Sequence, residues 1–315
     1  MIVCVSLNPA IDTRLNVASL ERGKVNRASS ATPEPGGKSL HVVMVLRTLG
    51  ADPLWIGLTG GAAGKNLADG IRAMGIRART IEIAQATRTN LEIVENDSTV
   101  TEILEPGPAV TEYELERLQR LYEAELNAAG ANGIAVLSGS LPRNVPADFY
   151  AKLIQIGHER WCRVFLDSSG EPLKQALNAN PDFVKPNQHE AEWLSEFAIV
   201  DRGAARQAAE KILGAGAAAV AISMGAAGIV YRSTADRTAF VATAPKVASR
   251  SCTGSGDAAM AGFAFAAERG LGARDALRLA AACGTANCVA EGPGKARAAD
   301  IERLKGEIEI RELQD

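Results

Sequence analysis

From residue 111 onward the chain alternates helical stretches with short apolar runs, and that rhythm is the strongest constraint on its fold. Helix 111–129 leads to strand 134–137, helix 147–159 to strand 164–166, and a helix near 171–179 to strand 183–185. Helices 188–196 and 203–214 then lead to strand 218–222. Strands this short and apolar, each joined to a helix, predict a mostly parallel sheet covered on both faces, an α/β fold in three layers. The N-terminal part continues the pattern, with strand 2–7, helix 39–49, strand 54–58 and helix 65–74. A hairpin near 228–242 and helices 257–269, 273–290 and 298–306 complete it. Ligands of such sheets bind beyond the carboxyl ends of the strands. Asp12, Ser138, Asp167, Asn187 and Ser223-Met224-Gly225 all fall there.

Two segments break the rhythm. Residues 13–35 mix polar and apolar side chains, and 80–84, 89–94 and 99–104 have strand composition, with Asn96-Asp97 as a hairpin turn. They predict a small sheet appended to the main body, built from about 12–34 and 80–105, within one domain spanning 1–315. No linker, low-complexity tract or internal repeat interrupts the chain.

Composition narrows the function classes. The chain has 315 residues, 47% hydrophobic and 23% charged, an ordinary globular profile. A net charge of −3 and a pI near 5.8 offer no nucleic-acid or anionic-membrane surface, and 4% aromatics leave little for base stacking. Cys4, Cys162, Cys252, Cys283 and Cys288 form no C-x-x-C pair, which fits reduced thiols in the cytoplasm. Cys283 and Cys288, in an Ala-rich helix, read as core thiols. The N-terminal apolar run lacks a basic region and reads as a strand, not a signal peptide, and no run approaches membrane-span length.

The chemistry concentrates in Ser251–Gly270. Gly254 and Gly256 permit an unusual turn, and the small apolar residues after Asp257 predict a buried helix that Gly270 stops. The amides of Gly254, Ser255, Gly256 and Asp257 would point out of the helix N-terminus as a site for an anion. Asp257 reads either as a first-turn carboxylate that complements the helix dipole or as a general base beside that site. Asn187 and Glu190 share a face at a helix start, as a capping box or as holders of a hydrated magnesium. Arg88, Lys24, Arg27 and Lys38 are cationic candidates for a phosphate. Two glycine-rich stretches are decoys. Gly60–Lys65 is one residue short of a P-loop and has Asn66 where magnesium needs Ser or Thr, and no strand precedes Gly292-Pro293-Gly294-Lys295.

In order along the chain, these pieces resemble the ribokinase-like sugar kinases of the PfkB family, closest to the branch acting on ketohexose phosphates. The resemblance rests on Ser6–Asp12, Pro35-Gly36-Gly37-Lys38, Thr87-Arg88-Thr89-Asn90, Thr101–Pro108, Ser138–Pro142, Asp167–Gly170, Lys185–Glu190, Ser223–Ala226 and Gly254–Asp257. It implies ATP-dependent phosphorylation of a ketohexose monophosphate, fructose 1-phosphate first, with tagatose 6-phosphate and fructose 6-phosphate as alternatives. Asp257 would be the base and Gly254, Ser255 and Gly256 would hold the transferring group. Asp12, Gly37, Lys38, His41, Arg88, Asn90 and Ser138, with Lys24 and Arg27, would hold the sugar phosphate. Lys185, Asn187, Ser223, Gly225, Gly228, Thr253 and Asn287 would line ATP, and Glu190 with Asn187 would organise Mg2+. The small sheet would act as a lid and pair two copies into a homodimer. Ser39 and His41 stand where the family signature has Gly and Asn, and Ser251-Cys252-Thr253 where it often has Asp-Thr-Val. Those departures motivate a rival of another class, a non-catalytic sugar-phosphate sensor.

Overall fold

A computed structural model describes residues 1–97 and 99–313. The expected alternation becomes a ten-stranded sheet with helices on both faces. In chain order the first half runs β1 (Ile2–Ser6), β2 (Ala10–Asn16), β3 (Ser30–Gly36), α1 (Lys38–Thr48), β4 (Leu54–Thr59), α2 (Gly61–Ala73), β5 (Arg77–Glu82), β6 (Arg88–Val94), β7 (Val100–Ile103) and α3 (Glu112–Ala129). Next come β8 (Ile134–Ser138), α4 (Phe149–Glu159), β9 (Arg163–Asp167), α5 (Gly170–Leu177), β10 (Phe183–Val184), α6 (Gln188–Ser195), α7 (Arg202–Gly214) and β11 (Ala219–Ser223). The chain ends with β12 (Ile229–Ser233), β13 (Ala239–Thr243), α8 (Ser255–Glu268), α9 (Ala273–Val289), α10 (Ala298–Glu307) and β14 (Glu309–Leu313).

The large sheet has the order β14-β13-β12-β11-β10-β9-β8-β1-β4-β5. Every pairing from β11 to β5 is parallel, and β12, β13 and β14 extend it antiparallel. The pleat sorts the strand side chains between two cores. Val3, Val5, Ala135, Leu137, Val164 and Leu166 face the layer of α3–α7. Ile2, Cys4, Ile134, Val136 and Phe165 face α1, α2 and α8–α10. Strands buried on both faces must be apolar throughout, which is why they read as continuous runs.

Two edge elements differ from expectation. The strand expected at 80–84 as part of the small sheet is β5, paired in parallel with β4 at the edge of the large sheet. β14 was not expected and forms the opposite edge. Both are half-exposed and charged, so they carry the polar signature of peripheral strands. The small sheet is β3-β2-β6-β7, with Ala10 opposite Gly36 at one end of its first hairpin and Asn16 opposite Ser30 at the other.

α8 is set deep in the second core. Its side of the packing uses Gly262, where an added Cβ would lie 2.6 Å from the Ala280 Cα in α9. Small residues thus bring the two helix backbones together and fix where α8 begins. Among the described residues no helix is long and apolar enough to cross a membrane.

Candidate active site

The site is assembled where α1, α6 and α8 start beside the carboxyl ends of β9, β10 and β11. α8 opens at Gly254, in the left-handed region at φ 77, with no side-chain cap. Glycine is required there twice, since a Cβ would also sit 2.7 Å from that of Pro293. The Ser255 N–H turns back to the Cys252 carbonyl at 3.1 Å, so one of the four expected amides is spent. Gly254, Gly256 and Asp257 N–H have no backbone partner among the described residues, and the helix dipole reinforces them.

Asp257 is 4% exposed. His41 Nδ1 lies 2.9 Å from its Oδ2, and His41 Nε2 faces Asp12 Oδ2 at 3.7 Å. Burial opposes a charge on His41, but the hydrogen bond and charge of Asp257, with Asp12 and Glu92 behind, raise its pKa above the ordinary histidine value. The ring lies between two carboxylates. Asp12 Oδ2 accepts the Gly37 N–H at 3.2 Å, and Oδ1 accepts from Asn90 Nδ2 at 2.8 Å. Gly36 lets this happen, because a Cβ there would meet Asp12 Oδ2 at 1.8 Å.

Beneath lies Asp167, 2% exposed, between Lys38 Nζ at 3.0 Å and Lys185 Nζ at 2.9 Å. Burial would push its carboxyl up, but the two ammonium groups hold it below the usual range. Burial likewise opposes the Lys38 charge and is outweighed by Asp167, Asp257 and Glu190, which raise its pKa. Lys185 underlies the turn, 3.1 Å from a Cβ placed on Gly256. The sequence marks Asp167 only as a strand-end carboxylate, with no role attached. That position, at the end of a central strand, was its available signal.

Asn187 caps α6 in a reciprocal box, with Glu190 N donating to Asn187 Oδ1 at 2.9 Å and Asn187 N to Glu190 Oε2 at 2.8 Å. Burial is the main reason the Glu190 carboxyl is raised, and Asp167 adds to it. Its Oε1 has no hydrogen-bond partner among the described residues. No group of three or more His, Cys, Asp and Glu side chains forms a metal cage among them. One open carboxylate oxygen beside a buried positive cluster fits a magnesium that keeps its waters and rides on phosphates.

Ser223 and Gly225 end β11 and begin the turn that follows, and Gly228, at φ 103, closes it. Ser138 ends β8 with a buried Oγ that has no hydrogen-bond partner among the described residues. Several other candidates have partners within the chain. Asn287 is 1% exposed, donating to the Thr253 carbonyl at 2.8 Å and accepting from Gly294 N at 2.9 Å, so it braces the turn. Arg88 donates to the carbonyls of Asn8, at 2.9 and 3.2 Å, and Glu105, at 2.8 Å. Lys24 and Arg27 are exposed in the loop joining the Asn16–Ser30 end of the β2–β3 hairpin. Four positions along β2 separate Asn16 from Asp12 and seven along the partner strand separate Ser30 from Gly37, roughly 13 and 23 Å. Lys24 pairs there with Glu21, so this chain does not bring it or Arg27 to the cluster.

The small sheet leans on the rim of the turn. Arg14 Nη1 donates to the Glu291 carbonyl, Lys295 pairs with Glu34 at 2.7 Å, and Thr253 Oγ1 donates to Glu102 at 3.5 Å.

Comparison with known proteins places this geometry in a family. The model of the pfkB family carbohydrate kinases matches residues 1–299. A 1-phosphofructokinase of Bacillus subtilis is 30% identical, covering 99% of this chain and 100% of that protein. One from Xanthomonas campestris is 37% identical over 84% and 83%. The crystal structure of phosphofructokinase-2 from Escherichia coli in complex with fructose-6-phosphate superposes with a TM-score of 0.89 at 26% identity, over 97% of this chain and 98% of that one. The chain therefore belongs to the pfkB family of carbohydrate kinases, phosphotransferases acting on a sugar hydroxyl.

Proposed function

We propose that the protein is a 1-phosphofructokinase, transferring the γ-phosphoryl group of ATP to fructose 1-phosphate to give fructose 1,6-bisphosphate. The observation that carries the mechanism is Asp257, placed in the first turn of α8 beside open amides, with one oxygen held by His41. Its Oδ1, unpartnered among the described residues, takes the proton of the attacking hydroxyl. The Gly254, Gly256 and Asp257 amides receive charge on the transferring group, and the Lys38 and Lys185 ammonium groups add a positive field from below. Positioning and such electrostatics supply most of phosphoryl-transfer catalysis. Magnesium, when bound, neutralises charge on the ATP phosphates, and Glu190 with Asn187 would hold its waters. Asp12, Asn90, Gly37 and Ser138 orient sugar hydroxyls. Arg88 holds the Asn8 and Glu105 carbonyls and lends positive charge for the substrate's phosphate.

The small sheet serves as a lid that excludes water. Its exposed apolar Ile103 and Leu104, with Val25, support pairing of two chains through it. Light scattering on the purified protein tests that pairing, and a monomer at working concentration would remove it.

The decisive assay is ADP release with magnesium-ATP and fructose 1-phosphate, fructose 6-phosphate, tagatose 6-phosphate, fructose or ribose. Turnover on fructose 1-phosphate well above the others is expected. Preference for fructose 6-phosphate, the ligand named for the E. coli structure, would reassign the substrate. Sugar-phosphate binding with no turnover would replace the enzyme by a sensor.

A further inference from the structure

We propose that Cys252 and Cys288 form a reversible disulfide that deforms the α8 turn and switches nucleotide binding off. They are far apart in sequence, yet their Sγ atoms lie 3.6 Å apart. Cys252 is exposed and Cys288 half-buried, unlike the buried Cys4, Cys162 and Cys283. Cys288 is therefore not the core thiol that its Ala-rich helix suggests.

The segment carrying Cys252 already lies against the end of α9. Arg250 N and Ser251 N both donate to the Cys288 carbonyl, at 2.8 and 3.4 Å. Ser249 Oγ contacts Cys252 Sγ at 3.4 Å, and Ser255 Oγ contacts Cys288 Sγ at 3.1 Å. Residues 244–252 belong to no strand or helix, so they can shift without breaking a ladder. Closing the pair from 3.6 Å to a bond length of about 2.05 Å needs a local movement only.

The chemistry requires a two-electron oxidant, and hydrogen peroxide supplies it. The exposed Cys252 sulfur attacks one peroxide oxygen, breaking the O–O bond and giving a sulfenic acid and one water. Cys288 sulfur then attacks the Cys252 sulfur and expels the hydroxyl as a second water, taking the thiol proton with it. Two thiols and one peroxide become one disulfide and two waters. Burial pushes the Cys288 thiol up, which leaves Cys252 as the sulfur oxidised first.

The consequence reaches the site through short links. The Cys252 carbonyl accepts the Ser255 N–H, and Thr253, next in the chain, is pinned by Asn287. Drawing Cys252 toward α9 while Thr253 stays fixed rotates the amides on either side of Gly254. Amides turned away from the phosphates no longer offer them the helix N-terminus, so nucleotide affinity falls. This effect rests on the proposed role of the turn, whereas the disulfide itself does not.

The test treats the whole protein with one equivalent of peroxide and maps tryptic peptides without reductant. The expected product links residues 251–269 to 279–295 through Cys252 and Cys288, with Cys283 free. Calorimetric affinity for ATP should fall at least about tenfold and return with dithiothreitol. Cys252→Ser should keep full affinity and turnover and ignore peroxide. Cys252 found only as sulfenic or sulfinic acid, or a linkage to Cys283, overturns the pair. A Cys252–Cys288 linkage with unchanged ATP affinity overturns the switch. Loss of the substrate assignment would show separately, as reduced protein inactive on every sugar phosphate.

Discussion

Two helices of this protein start with the same device and use it for opposite ends. α3 begins with Thr111 and Glu114 in a reciprocal capping box, and α6 with Asn187 and Glu190 in another. Glu114 has both oxygens occupied, Oε1 by the Ala84 N–H at 2.7 Å and Oε2 by the Thr111 N–H and hydroxyl at 2.7 and 2.8 Å. Burial alone would raise its carboxyl, but those donors and Arg117 outweigh it and hold the pKa down. Glu190 receives one backbone donor and sits near Asp167, so its pKa is raised. A saturated carboxylate is structural. One left with an open oxygen and an unfavourable charge suits the magnesium role proposed for Glu190.

That contrast should widen when the site carboxylates are neutralised. Asp257→Asn, which keeps the shape but removes the proton acceptor, should fold and bind ATP while losing about 10²–10⁴-fold in turnover. Near-normal steady-state rates would remove Asp257 as the base. Glu190→Gln should cost about 10–100-fold in activity, with a higher magnesium requirement and little change in melting temperature. Magnesium titrations giving the wild-type midpoint would break the contrast from the α6 side.

Glu114→Gln should do the reverse, leaving kcat intact and lowering stability by about 2 kcal/mol, since one buried N–H loses its acceptor. The sign with pH follows from its lowered pKa. Its contribution is complete above the unfolded value of 4.5 and disappears as pH falls through the lower folded value. The variant should therefore unfold in acid with a shallower pH dependence than wild type, and parallel acid limbs in urea titrations would contradict this.

His41 gives the smallest expected effect. Its raised pKa means the imidazolium stabilises the fold fully below the unfolded value of 6.5 and loses that contribution as pH rises through the folded value. His41→Asn should narrow the wild-type advantage in melting temperature as pH increases. A difference independent of pH would show that the ring contributes packing alone.

Legibility in the sequence followed burial. The central strands, covered on both faces, had to be continuous apolar runs and could be found as such. β5 resembled the small sheet because an edge strand needs few apolar positions, and β14, with the charged sequence Glu309–Leu313, offered even less signal. In the site, Gly254–Asp257 and Asn187–Glu190 were legible because their geometry is local, set within one turn of helix.

The amino-acid sequence by itself determined the α/β alternation, the open turn at the start of α8 and the family to which these motifs belong. Only the tertiary structure decided who meets whom. It set His41 between Asp257 and Asp12, and Asp167 between Lys38 and Lys185. It also spent Asn287 on the backbone, left Lys24 and Arg27 at the far end of a hairpin, and brought Cys252 beside Cys288. The physical reason is range. Helix caps, turns and pleats are fixed by residues within a few positions of each other. Charge pairing and sulfur contacts depend on which strand ends the sheet order brings together, and short-range pattern does not encode that order.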